Sequence, residues 1–204
     1  MKEEQKQAMR EQLIKNTVAL VAKGGFEKAT TRGITHSGQP LQDFNMNEVY
    51  IYRLFGSKEK LYATAFCQID RELSYAVHTR VQQVNTATCD RKSGLHAILT
   101  VVRQYVLEHP DHIAFYAQYY HSVYCPGEIE NAHVKAWEGV VNVLRPWFRP
   151  STNVDLLLHG AFLLVLDYFV RSYWNELTVS GLEIERVCET VYSMLAAELH
   201  PACV

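Results

Sequence analysis

Apolar residues recur at spacings of three and four from one end of this 204-residue chain to the other, and that period restricts it to helices. Over residues 3–23 the stripe is Met9, Leu13, Thr17, Leu20 and Val21, and Gly24-Gly25 supplies the stop. Thr30 is placed to cap a short second helix carrying Thr31, Arg32 and Ile34, which Gly38 and Pro40 interrupt. A third short helix is expected over 48–55, closed by Gly56. Ser57 caps a fourth, with Glu59 near the positive end of its dipole and Leu61, Tyr62, Ala65, Phe66, Ile69 and Leu73 along its buried stripe. Further helices are expected at roughly 93–108, 110–124, 128–147, 152–177 and 181–199, separated by Pro110, Pro126-Gly127, Pro146, Pro150 and Ser180-Gly181. No strand-like alternation between glycine-rich turns, internal repeat or low-complexity tract interrupts the pattern. The expected fold is all-α, with about nine helices.

The length accommodates one domain, or one of about 50–60 residues followed by a larger one. With 48% hydrophobic and 21% charged residues, the composition is that of a packed globular protein. The opening MKEEQKQAMREQ lacks the apolar core of a secretory signal, so a cytoplasmic protein is expected. The longest apolar run, Leu156 to Leu166, is broken by His159 and is short of the roughly 20 residues of a membrane span, so no membrane partner is expected. Five cysteines without CxxC spacing suggest neither a disulfide framework nor zinc, and no cofactor is implied. Net charge is −2, but residues 1–65 carry 10 Lys/Arg against 7 Asp/Glu, leaving 10 against 15 for the remainder. That asymmetry inclines the N-terminal part toward a polyanion, although such a difference is common.

Chemistry concentrates between Thr30 and Phe66. Short helices separated by a tight turn are what a helix-turn-helix requires, one crossing the DNA backbone and the next entering the major groove. At 100° per residue, Ile51, Leu54 and Phe55 face inward while Val49 and Arg53 point outward, flanked by Tyr50 and Tyr52. Arg53 has the fork that reads guanine, the tyrosine hydroxyls can bond phosphates, and Lys58 with Lys60 sits at a helix N-terminus. In any helical protein, however, the inward residues would be core and the lysines a solvated first turn.

These residues resemble the TetR family of transcription regulators. The resemblance rests on Gly25-Phe26, on Thr30-Thr31-Arg32 with Ile34, and above all on IYRLFGSKEKLYATAF from Ile51 to Phe66. It covers roughly the first 66 residues and implies a DNA-binding domain over 1–66 and a helical ligand-binding and dimerisation domain over 67–204. It further implies that Asn47 caps the recognition helix, that Glu48, Val49, Tyr50 and Arg53 approach bases, and that Thr30, Tyr52 and Lys58 hold phosphates. The family pattern spends about five residues between the positions of Ile34 and Asn45, whereas HSGQPLQDF lengthens this link by about six, or about 240° of helix, so it either bulges or forms an extra turn from Pro40.

A second cluster runs from His109 through His112, Phe115, Tyr116, Tyr119, Tyr120, His121 and Tyr124. His109 and His112 could share a metal, but no carboxylate-histidine pattern accompanies them, and no metal is expected. The aromatic residues fit two readings equally: an aromatic core, or a pocket for an apolar or aromatic effector, with Trp137, Phe162, Tyr168 and Trp174 contributing. The last two helices carry more apolar face than a thin bundle hides, notably Leu157, Ala161 and Leu164, then Val187, Val191 and Met194. A homodimer is the expected outlet, and the resemblance implies the same helices at a four-helix seam. The functional expectation is a ligand-responsive repressor of double-stranded DNA. The alternative is a helical ligand-binding or interaction protein that has lost specific DNA binding. An enzyme is not expected, since no nucleophile-base spacing, phosphate loop or carboxylate pair can be named.

Overall fold

A computed structural model of the chain describes residues 3–37, 47–86, 90–174 and 181–200. Among these, the regular structure is helical: α1 (Glu3–Lys28), α2 (Thr31–His36), α3 (Val49–Phe55), α4 (Lys58–Thr86), α5 (Arg91–Glu108), α6 (Pro110–Tyr120), α7 (Gly127–Leu144), a 3₁₀ turn (Arg145–Trp147), α8 (Val154–Trp174) and α9 (Gly181–Ala197). The all-α expectation holds, and breaker residues locate most boundaries. Gly25 breaks the regular geometry near the end of α1 with a left-handed φ of 73°, a conformation open to glycine because no Cβ meets the neighbouring carbonyl. Asp90 starts α5 by accepting the Ser93 N–H at 3.0 Å. No helix among the described residues is long and apolar enough to cross a membrane.

The chain packs as two compact units, Met1–Ile69 with Asp111–Glu130, and Asp70–Pro110 with Asn131–Val204. This differs from a contiguous division at residue 66, because α6 belongs with the first unit. Ile113, Ala114, Phe115, Tyr116, Ala117 and Tyr119 are all buried, so α6 is apolar around its circumference and needs neighbours on every side. Within that unit Phe66 lies 4.6 Å from the Tyr116 ring and 4.9 Å from Tyr119. The Gln118 side-chain amide donates to the Val21 and Ala22 carbonyls at 3.0 and 3.3 Å, just before the break at Gly25. Carbonyls in the final turn of a helix need partners from outside the regular ladder, and α6 provides one.

In the second unit α9 packs against both α5 and α8, burying Ile184, Val191 and Leu195 on one face. Arg103 of α5 meets Glu185 of α9 at 3.1 Å. Gly94 is required by close packing: a Cβ there would stand 2.6 Å from Val84 Cγ1 and 2.8 Å from the Trp147 ring. Backbone bonds from Arg149 to the Glu198 carbonyl (3.0 Å) and from His200 to the Trp147 carbonyl (2.9 Å) close the C-terminal end against the 3₁₀ turn.

Candidate nucleic-acid interface and cavity

Local capping sets the two short helices of the first unit. Thr30 Oγ1 accepts the Gly33 N–H at 2.9 Å to start α2, which buries Ile34. Asn47 Oδ1 accepts the Val49 N–H at 3.1 Å at the start of α3. Helix α3 buries Ile51, Leu54 and Phe55, as its 100° spacing requires, and ends at Gly56, whose N–H closes the last helical bond to the Tyr52 carbonyl at 2.9 Å and whose φ of 85° then turns the chain out of the helix. Ser57 Oγ accepts the Lys60 N–H at 3.1 Å and opens α4. The Glu59 carboxyl is held below its ordinary pKa, first by its own backbone N–H and then by the Ser57 hydroxyl.

Long-range contacts then fix both helices to α1, and tie α4 to the backbone just before α2. The buried Asn16 amide donates to the Ile34 carbonyl at 2.7 Å, anchoring α2. Arg10 Nη1 donates to the Leu54 carbonyl at 2.6 Å, and its guanidinium lies 4.4 Å from the Phe55 ring centroid. A cation there satisfies an end carbonyl and faces the negative pole of α3. Tyr62 donates from its hydroxyl to the Ala29 carbonyl at 3.2 Å, while burial pushes its phenol pKa up and keeps the proton in place. Arg10 and Asn16 have no counterpart in the sequence reading, because isolated polar positions on an amphipathic helix carry no local mark of a distant partner.

With its apolar side committed to the core, α3 turns Val49 (66% exposed), Tyr52 (54%) and Arg53 to solvent. Thr30, Arg32, Asn47 and Glu48 are also exposed, and Thr31, Tyr50 and Lys58 are half-buried. These ten residues, the eight named for bases, phosphates and the cap together with Thr31 and Arg32, which are also expected to meet DNA, therefore lie in the first unit on α2, α3 and the adjoining helix starts. The Thr31 hydroxyl donates to the Glu48 carboxylate, joining α2 to the beginning of α3 and occupying the acid that faces solvent there. Lys58 Nζ stands 5.7 Å from the Tyr62 ring centroid, so its stem lies along α4's first turn. Of the lengthened link, His36 and Ser37 close α2, and residues 38–44, including Pro40, lie outside the described residues, as does Asn45.

The second unit contains a cavity of about 690 Å³, lined by residues of α4, α5, α7, α8 and α9. Its wall is largely aliphatic, with Trp137 and Phe162 forming an aromatic corner at 5.3 Å and 47°. Behind this corner the buried Asp70 Oδ1 accepts from His133 Nδ1 and from Trp137 Nε1, both at 2.9 Å. Pocket volumes of 300–1,000 Å³ suit a drug-sized molecule. The expected ligand set is divided by the fold. Trp137 and Phe162 line the cavity, whereas Phe115, Tyr116 and Tyr119 are fully buried in the core of the first unit. Tyr120 stacks on Phe66 at 6.2 Å, and Tyr168 packs edge-on against Phe169. The aromatic run on α6 is thus core, for the reason that its buried positions surround the helix.

The expected dimer residues divide similarly. Leu164 (45%) and Met194 (36%) are exposed, and Leu157 and Val187 are half-buried. Ala161 and Val191 instead line the cavity and are buried within the chain, so they have little surface to offer a partner. Helical spacing alone could not separate the cavity face from the outer face. Among the described residues, no group of three or more His, Cys, Asp and Glu is arranged to hold a metal ion.

No protein-family model and no curated protein matches the sequence. Solved structures do. A TetR family transcription regulator from Marinobacter aquaeolei VT8 superposes with a TM-score of 0.66 at 15% identity, covering 95% of this chain and 98% of its own. A TetR transcriptional regulator from Chloroflexus aurantiacus J-10-fl gives 0.60 at 19% identity, covering 96% and 98%. At such identity the likeness speaks for architecture, and it extends over nearly the whole chain. The chain has the fold of the TetR transcription regulators.

Proposed function

We propose that this protein is a transcription regulator that binds a pseudo-palindromic operator as a homodimer and releases it when a small apolar molecule occupies the second unit. The observation that carries the reading is α3 itself. Bonded at its start through Val49 N–H to the Asn47 side chain and held at its far end by Arg10, it commits Ile51, Leu54 and Phe55 to the core and leaves Val49, Tyr52 and Arg53 outward. A helix so fixed, preceded by the capped α2, is suited to a major groove, with Arg53 at base edges and Thr30, Tyr52 and Lys58 at phosphates. Thr31 and Arg32 belong to the same face. The exposed Leu164 and Met194, with Leu157 and Val187, supply the seam that doubles the reading head.

In this reading residues 1–66, completed by α6, recognise DNA in the cytoplasm, and the second unit senses and dimerises. The role is regulatory and not enzymatic. Selection of bound fragments from genomic DNA tests it directly. A reproducible inverted repeat is expected, and sequence-indifferent binding that fades with salt would refute specific recognition. One observation favours the alternative of a ligand-binding protein without an operator: Glu48 brings a carboxylate to the start of α3, where phosphate would repel it. The same selection decides between them.

A further inference from the structure

Glu48 is an acid among the residues set to face DNA, and its surroundings make it more than a surface charge. It is exposed, yet it is held at both ends. Its backbone is helical, at φ −57° and ψ −28°, and its carbonyl accepts the Ile51 N–H at 3.1 Å. Its carboxylate accepts the Thr31 hydroxyl through Oε2. Thr31 belongs to the first turn of α2, which Thr30 caps and the buried Asn16 anchors through the Ile34 carbonyl at 2.7 Å. A hydroxyl partner orients an acid without cancelling its charge, and the second oxygen can accept a further donor. From this we infer that Glu48, positioned by Thr31, selects cytosine in each half-site of the operator. Such a role presupposes the operator binding already proposed and adds one base to it.

Charge decides why the base should be cytosine. Every duplex presents phosphates, so an acid on the reading surface weakens binding to all sequences alike unless a donor meets it. In the major groove the donors are the amino groups of cytosine and adenine. Adenine sets its N7 acceptor beside that amino group, where it repels a carboxylate oxygen, whereas cytosine carries a C–H at the corresponding edge. Guanine offers two acceptors, and thymine an acceptor beside a methyl group. Cytosine alone therefore satisfies the acid without opposing it. Fixing the side chain strengthens the choice: a glutamate free to turn away avoids a wrong base at little cost, whereas one tethered to Thr31 must face it. The acid that lowers affinity for DNA at large thus raises the ratio of specific to non-specific binding.

The test uses the full-length protein and selection from random duplexes, followed by titration of the selected site and a scrambled one at a single salt concentration. The wild type should select an inverted repeat with cytosine at one position of each half-site, and changing that pair in one half-site should weaken binding about fivefold to 150-fold. Glu48→Gln should select adenine at the same position, because an amide donates to N7 while accepting from N6. Glu48→Ala should make the position indifferent and tighten the scrambled duplex by about twofold or more. The Glu48 side chain caps no backbone N–H, so neither change removes a support of α3. Thr31→Val keeps the side chain's shape and should reduce the cytosine preference by about threefold or more, while preferences at the other positions persist. A repeat whose every position survives Glu48→Ala, or whose positions all weaken together, would overturn the assignment and leave the regulator in place. Unchanged cytosine preference in Thr31→Val would overturn positioning by Thr31. Absence of any repeat for the wild type would overturn the assignment and operator binding together.

Discussion

Replacing Arg10 with methionine should destabilise the first unit by about 2–3 kcal/mol. The wild-type guanidinium donates to the Leu54 carbonyl at 2.6 Å and lies 4.4 Å from the Phe55 ring centroid. A hydrogen bond from a charged donor contributes about 1.5–3 kcal/mol, and the half-buried position places this one toward the lower end. The ring contact adds about 0.5–1 kcal/mol. Attraction to the negative end of α3 acts through the same carbonyls and is not counted separately. Methionine retains most of the aliphatic stem, so lost packing is a minor part of the change. Denaturant unfolding measures the total, and hydrogen exchange localises it, with amides of α3 losing protection before those of α5 and α9. Arg10→Lys should recover part of the loss, because a point charge remains but the planar fork does not. A change below about 0.5 kcal/mol for Arg10→Met, or loss of protection spread evenly over both units, would refute the assignment.

Gly94→Ala should cost about 1–3 kcal/mol by overpacking, read as a lower denaturation midpoint, because the new methyl meets Val84 and Trp147 at under 3 Å. Leu164→Glu should shift the protein from dimer to monomer in sedimentation at micromolar concentration; a wild-type monomer under the same conditions would contradict the proposed seam. On a selected operator, Arg53→Ala should cost about 1–3 kcal/mol and relax base choice, whereas Lys58→Ala should weaken all sequences alike and lower the salt slope by about two for a dimer. Equal losses on specific and scrambled duplexes for Arg53→Ala would remove it from base reading. Acidification should remove whatever stability Glu59 contributes: its folded pKa is depressed, so that contribution is present above the ordinary carboxylate range and disappears as pH falls through the lowered value, an effect Glu59→Gln should abolish in pH-dependent unfolding.

Helix content, the inward face of α3 and the capping roles of Thr30 and Ser57 were legible in the sequence because each is set by residues within one or two turns. Longer-range facts were not. The stripe of α6 is equally compatible with a cavity wall and with a core, and only its placement in the first unit makes Phe115, Tyr116 and Tyr119 core. The Trp137–Phe162 corner joins residues 25 positions apart on two helices, and the Asp70 contact behind it spans 67 positions. Ala161 and Val191 shared an apolar stripe with Leu164 and Met194, and periodicity does not say which flank turns inward. Arg10 and Asn16 resembled solvated positions on α1 because their acceptors lie 44 and 18 residues away.

The Gln118 amide beneath the last turns of α1 has a consequence for the order of events during synthesis. A ribosome adding about 5–20 residues per second completes α1 to α3 several seconds before the segment Asp111–Glu130 is made. During that interval the nascent chain holds α2 and α3 without the hydrophobic centre that α6 supplies. Its apolar surfaces are open to chaperones, and a gene fragment ending at residue 66 would be fixed in that condition. The first unit, although its larger part is encoded first, is finished only after the whole of α5 has emerged between its two segments.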